Sequence, residues 1–187
     1  MKKLLLFILL IPFGTFSQNN AIKVNAIGLY LFVIYFGEAD LSYERYINNH
    51  SSVSVNYNYL NMFIVSGGLH SHSIRMNYSY YLQTIHFKNI KNWVSPHVGI
   101  IFTESSGGEN YDYIIKQNFK NAGITLGQRY VCANNKLFFD LGFGLSYGLI
   151  HYTHYYENYY YEGITITHKN DEFSYYPRFI LNMGFNF

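Results

Sequence analysis

Five of the eight histidines fall in two short stretches, His70 and His72 in "GGLHSH" and His151, His154 and His168 in "HYTHYYENYYYEGITITHK". Imidazoles invite a metal, but a metal site needs ligand number and geometry together. No H-x-x-x-H pair and no neighbouring cysteine supplies them, and Cys132 is the only cysteine in the chain. We therefore expect no metal and no cofactor. The second stretch also offers a hydrolytic set, with His151 or His154 as base, Glu157 or Asp171 to orient it and Ser174 as nucleophile. Such sets are recognised by geometry, and no nucleophile elbow accompanies this one. The expectation is a protein without catalysis, with an enzyme kept as an alternative. Recognition is the third chemistry. Tyr155, Tyr156, Tyr159, Tyr160 and Tyr161, beside His151 and His154, offer rigid rings with polar tips that suit a glycan or a protein surface.

Whatever positions these residues has a period of two. "SSVSVNYNYL" puts Val53, Val55, Tyr57 and Tyr59 on one face and Ser52, Ser54, Asn56 and Asn58 on the other. "SIRMNYSYYLQ" separates Ile74, Met76, Tyr78, Tyr80 and Leu82 from Ser73, Arg75, Asn77, Ser79 and Gln83. "WVSPHVGIIF" and "NAGITLGQRY" alternate likewise, the second with Ala122, Ile124 and Leu126 against Asn121, Gly123, Thr125, Gly127 and Arg129. "LFFDLGFGLSYGL" sets Phe139, Leu141, Phe143, Leu145 and Tyr147 against Asp140, Gly142, Gly144, Ser146 and Gly148. The final segment sets Phe179, Leu181, Met183, Phe185 and Phe187 against Arg178, Asn182, Gly184 and Asn186. "AIKVNAIG" and "ADLSYERY" supply two further strands near the start. Between them "LYLFVIYFG", residues 29–37, does not alternate in polarity.

Eight strands are expected. Short polar turns at 48–51 and 133–136 follow the second and sixth, and longer loops ("NMFIVSGGLHSH", "ESSGGENYDYIIKQ" and the Tyr-rich stretch) follow the third, fifth and seventh. An even strand number with alternating short and long connections is the rhythm of a bacterial transmembrane barrel. Composition agrees, with 20% aromatic and only 13% charged residues against about 25% charged in typical soluble domains. Residues 1–17 are expected to be a signal peptide, with Lys2 and Lys3 ahead of an apolar run and cleavage between Ser17 and Gln18. That apolar run, and every other, is too short for a spanning helix of about 20 residues. In hydrocarbon all backbone polar groups must pair internally, so a chain without such helices crosses only as a closed barrel. The expected fold is therefore all-β: an eight-stranded antiparallel up-and-down transmembrane β-barrel over residues 18–187. A soluble barrel of reversed polarity would have to pack the aromatics of all eight strands inside and leave the glycines and serines on its surface, whereas narrow barrels need small residues inside.

These phases turn Lys23, Arg75, Arg129 and Arg178 inward together with Asp40, Glu44 and Asp140. Unpaired charges are costly in a narrow interior, so they are expected to form a linked network that fills the lumen. No open pore is expected. The net charge of +2, without a basic stripe, gives no reason to expect nucleic acid.

"AIKVNAIGL", "DLSYERYINN", "NAGITLGQRYVCANNKLFFDLGFGLSYG" and a last strand ending in Phe187 resemble small outer-membrane barrel proteins of unknown function, similar in architecture to the eight-stranded OmpA/OmpX-type barrels. The resemblance implies residence in the outer membrane, contact with its lipid, and insertion by the barrel-assembly machinery. "NMGFNF", with Phe185 and Phe187, is similar to the signal that this machinery reads. It implies no catalytic residue. The expected role is structural or surface-interacting, as a monomer. The alternatives are a surface binding module using the fourth external loop and an enzyme embedded in the membrane.

Overall fold

The computed structural model describes residues 20–25, 37–64, 67–83, 89–107, 112–132, 136–157 and 165–187. The expected signal peptide, residues 29–36 and Tyr159, Tyr160 and Tyr161 lie outside the described residues, as do the side chains of Asp40, Tyr156, Glu157 and His168. Eight strands follow in chain order: β1 (Asn20–Asn25), β2 (Gly37–Asn48), β3 (Ser51–Ile64), β4 (Gly67–Gln83), β5 (Ile90–Gly107), β6 (Asp112–Val131), β7 (Leu137–Glu157) and β8 (Thr165–Asn186). Each pairs antiparallel with the next, and β1 closes the ring against β8. At the seam the backbone of Asn20 exchanges two hydrogen bonds with Phe187, at 3.1 and 2.9 Å.

Closure carries a stagger. Following cross-strand partners from Val24 leads through Leu41, Tyr57, Ile74, Ile100, Lys120 and Leu149 to Phe173. Val24 itself pairs with Met183. The circuit thus slips along β8 from residue 173 to residue 183. For eight strands that shear gives a tilt of about 40° and a backbone radius of roughly 8 Å, a lumen just wide enough for side chains.

The two faces are sorted as the alternation requires. Leu141 is 61% and Phe179 73% exposed on the outside, whereas Glu44 and Asp140 are 0% and 2% exposed inside. On β8 the apolar outer row runs from Phe185 to Phe173. At the barrel's tilt this row stands about 30 Å tall, comparable with a bilayer's hydrocarbon core. Inside, small residues make room for large ones. A Cβ on Gly127 would stand 2.3 Å from a ring carbon of Trp93 and 2.4 Å from the backbone oxygen of Leu141, so only glycine fits beside that indole. Pro96 has no N–H for the ladder. The β4–β5 pairing is interrupted opposite it, and the hydroxyl of Ser79 instead donates to that of Ser95 at 3.1 Å.

The expected long connections are corrected. "NMFIVSGGLHSH" is mostly the paired upper ends of β3 and β4, joined through residues 65–66. "ESSGGENYDYIIKQ" is largely β5 and β6, and the Tyr-rich stretch is largely β7 and β8. Strand length grows from 14 residues in β3 to 22 in β8. Once the stagger is allowed for, the strands end nearly level at the turn end and rise progressively higher toward β8 at the other. The hydropathy signal fades up there because both faces of the wall become polar, while the backbone ladder continues.

Candidate functional site

The lumen has two storeys. In the lower one, near the short turns, β1, β2, β6 and β7 deliver Lys23, Glu44, Arg129 and Asp140 to one point. The Arg129 guanidinium donates to both oxygens of Asp140, from Nε at 2.6 Å and Nη2 at 2.7 Å, and from Nη2 to Glu44 Oε2 at 2.8 Å. Lys23 Nζ bridges the same two carboxylates at 3.1 and 3.2 Å. Ser52 and Tyr81 donate their hydroxyls to the other oxygen of Glu44, and Arg129 donates to the hydroxyl of Tyr46. The guanidinium lies 3.9 Å from the centre of the Phe138 ring and 4.9 Å from that of Tyr81. Two positive and two negative groups balance there, with ring faces covering the cation. A buried pair survives only with this kind of geometry and satisfied lone pairs. Trp93 and Ile180 pack with Tyr81 to complete the layer.

Against this network lies a cavity of ≈20 Å³, bordered by Lys23, Arg129 and Asp140 as well as by Asn77, Trp93 and Arg178, the space of a single water molecule. The upper storey then opens into a cavity of ≈310 Å³ with Asn58, Ser73, Arg75 and Arg178 in its wall. Arg178 Nη1 donates to Asn77 Oδ1 at 3.1 Å, and Asn77 donates on to Ser54 and Asn56. Of the seven expected lumen charges, four therefore converge, Arg75 and Arg178 stand in the upper storey, and Asp40 is placed only by its backbone pairing with Asn58.

The Tyr/His set is spread over a wall. His151, His154, Tyr155 and Tyr156 lie on β7, not in a loop. His151 and Tyr155 have outward phase and His154 inward phase. His151 and Asp171 are hydrogen-bonded on the outer face, both about half exposed. Ser174 sits on the opposite face of β8 and donates to the carbonyl of Tyr175 at 3.5 Å, so the hydrolytic set is not assembled. His70 and His72 project outward from β4, and they border with His151 an outer depression of ≈410 Å³. Among the described residues, no three His, Cys, Asp or Glu side chains stand together as a metal site would need. Phe185 is exposed on β8 and pairs with Ile22 and Leu137.

The alternation did not reveal the inward aromatics Tyr81, Trp93 and Phe138. Tyr81 and Phe138 sit in runs of adjacent apolar residues ("YYL", "LFF"), and Trp93 is followed at once by Val94, so polarity alone does not set their phase. Counting onward from a polar neighbour, such as Ser79 to Tyr81 or Asp140 back to Phe138, would have found them.

Known structures share this architecture. A major outer membrane protein from Thermus thermophilus matches with a TM-score of 0.64 and 9% identity, over 92% of this chain and 100% of its own. The chain has the fold of the eight-stranded outer-membrane barrels. The N-terminal β-barrel domain of Pseudomonas aeruginosa OprF matches at 0.55 with 13% identity, over 91% of this chain and 100% of that one. Neisserial surface protein A matches at 0.51 with 15% identity, over 91% and 95%. No protein-family model and no curated protein sequence matches the chain. At these identities the kinship is one of fold.

Proposed function

We propose that this protein is an integral outer-membrane barrel with a structural or surface-interaction role, that it has no catalytic centre, and that its lumen conducts no solutes. The short turns face the periplasm in this reading, and the taller wall of β4–β8 stands outside. One observation carries it: the polarity of the barrel is inverted, with sealed charges within and an apolar outer belt. Contiguous exposed apolar surface of that extent marks a membrane or partner contact. Lipid-phase photolabelling tests it. Leu141 and Leu181 should be marked while Asp140 and Asn182 are spared, and the reverse pattern overturns the reading.

The closed lumen rests on the lower storey, where the Arg129 network and the aromatic layer leave room for one water. No unitary conductance is expected in a planar bilayer, and a porin-like step would refute this. A second reading, a binding module for a glycan or protein, is favoured by the tall wall, where the exposed Phe102 and the half-buried Tyr155 stand above the belt. Deletion of residues 155–161 separates the two. Lost cell or glycan binding with an intact envelope assigns the function to the upper wall, whereas binding that persists removes that reading. Lipid profiling of a strain lacking the protein tests the enzyme alternative.

A further inference from the structure

Resting on membrane residence, we infer that the outer depression on β4–β7 seats the anionic, phosphate-bearing headgroup of a membrane lipid. The depression, ≈410 Å³, lies on the outside of the barrel, and its floor is made of outward side chains from four consecutive strands. Its height is what selects a lipid. The rung His72, Phe102, Asn118 and His151 lies directly above the rung Ile74, Ile100, Lys120 and Leu149, which belongs to the upper edge of the apolar belt. A group resting in the depression is therefore at headgroup level, with its acyl chains against the rows below. In the row beneath, the small Ala122 stands between Val98 and Tyr147.

Within the lining the charges of Lys116 and Glu104 balance, and the excess positive charge comes from Lys120, on the rung just below. Lys116 pairs with Glu104 at 3.2 Å, but both side chains stay about half exposed, so the ammonium keeps donors for a ligand. Lys120 projects from an otherwise apolar rung and has no ion-pair partner among the described residues. A lysine in that position snorkels, laying its stem on apolar surface and raising its charge to the interface. On the outward face of the two polar rungs and the one below, lysines 116, 120 and 169 face two carboxylates, Glu104 and Asp171. The imidazoles of His72 and His151 add hydrogen-bonding capacity at the rim. Phosphate oxygens bridging Lys116 and Lys120, with the glycerol or sugar over Phe102, is the arrangement this surface accepts.

The test uses the refolded full chain. Insertion into phosphatidylcholine vesicles is read first, and failure to insert overturns membrane residence itself. Native mass spectrometry then compares retention of phosphatidic acid and phosphatidylcholine of identical chains. One phosphatidic acid should be retained at least tenfold more strongly. The double variant Lys116→Gln/Lys120→Gln should lose about tenfold of that preference, and Lys136→Gln at the opposite end should keep it. Equal retention of the two lipids, or an unchanged double variant, overturns the headgroup site while leaving membrane residence intact. Inorganic phosphate alone binding as tightly as phosphatidic acid would assign the site to a free anion and also overturn it.

Discussion

At the turn end of the lumen, two cations and two carboxylates lie under an aromatic layer with space for one water. A few residues higher, Arg75 and Arg178 border a cavity of ≈310 Å³. Both storeys are lined by polar side chains of the same kinds, so composition does not separate them. The difference lies in what covers the charges. Below, the rings of Phe138 and Tyr81 cover the guanidinium, and each ion depends on the others. Above, the side chains border open space, so each depends less on its neighbours. On the proposed reading, the packed lower storey would act as a structural strut beneath an open upper chamber.

The largest effect should come from breaking the floor. Arg129→Met leaves Glu44 and Asp140 buried with Lys23 as their only cation, and removal of one partner from such a network costs about 3–5 kcal/mol. Urea unfolding in lipid vesicles would measure this, and a loss below about 1 kcal/mol would erase the contrast between the storeys. Gly127→Ala is next. Its methyl meets both the indole of Trp93 and a backbone oxygen that cannot move aside, for a cost of about 1–3 kcal/mol in the same assay. Smallest of all is His151→Gln, which alters an exposed contact with Asp171 and should change stability by less than about 1 kcal/mol. A larger loss there would mean that the upper wall is braced as tightly as the floor.

The sequence was most readable where the two faces differ most. Along β7, Asp140, Gly142, Gly144 and Ser146 alternate with Phe139, Leu141, Phe143 and Leu145, and that contrast fixes strand, phase and belt together. The same strand is harder to read above Leu149, because a wall with two polar faces has no polarity to alternate; His151, His154, Tyr155 and Tyr156 therefore read as loop. The convergence of Lys23, Glu44, Arg129 and Asp140 was visible only as a shared inward phase. Which charges meet, and which stand in the upper storey, depends on a stagger that no local pattern encodes. Arg129 and Arg75 have the same phase, yet it is Arg129 that joins Glu44 and Asp140.

That slip of residues 173 to 183 around the ring also governs how such a chain can change length over generations. Removing one residue from a strand turns its side chains inside out. Removing two keeps the faces, but a shear of eight in place of ten would shrink the backbone radius from roughly 8.3 to roughly 7.6 Å, too narrow for an indole beside a guanidinium. Insertions and deletions can therefore accumulate only at the outer rim, and the contents of the floor act as a ruler that holds every strand's lower half to its present count.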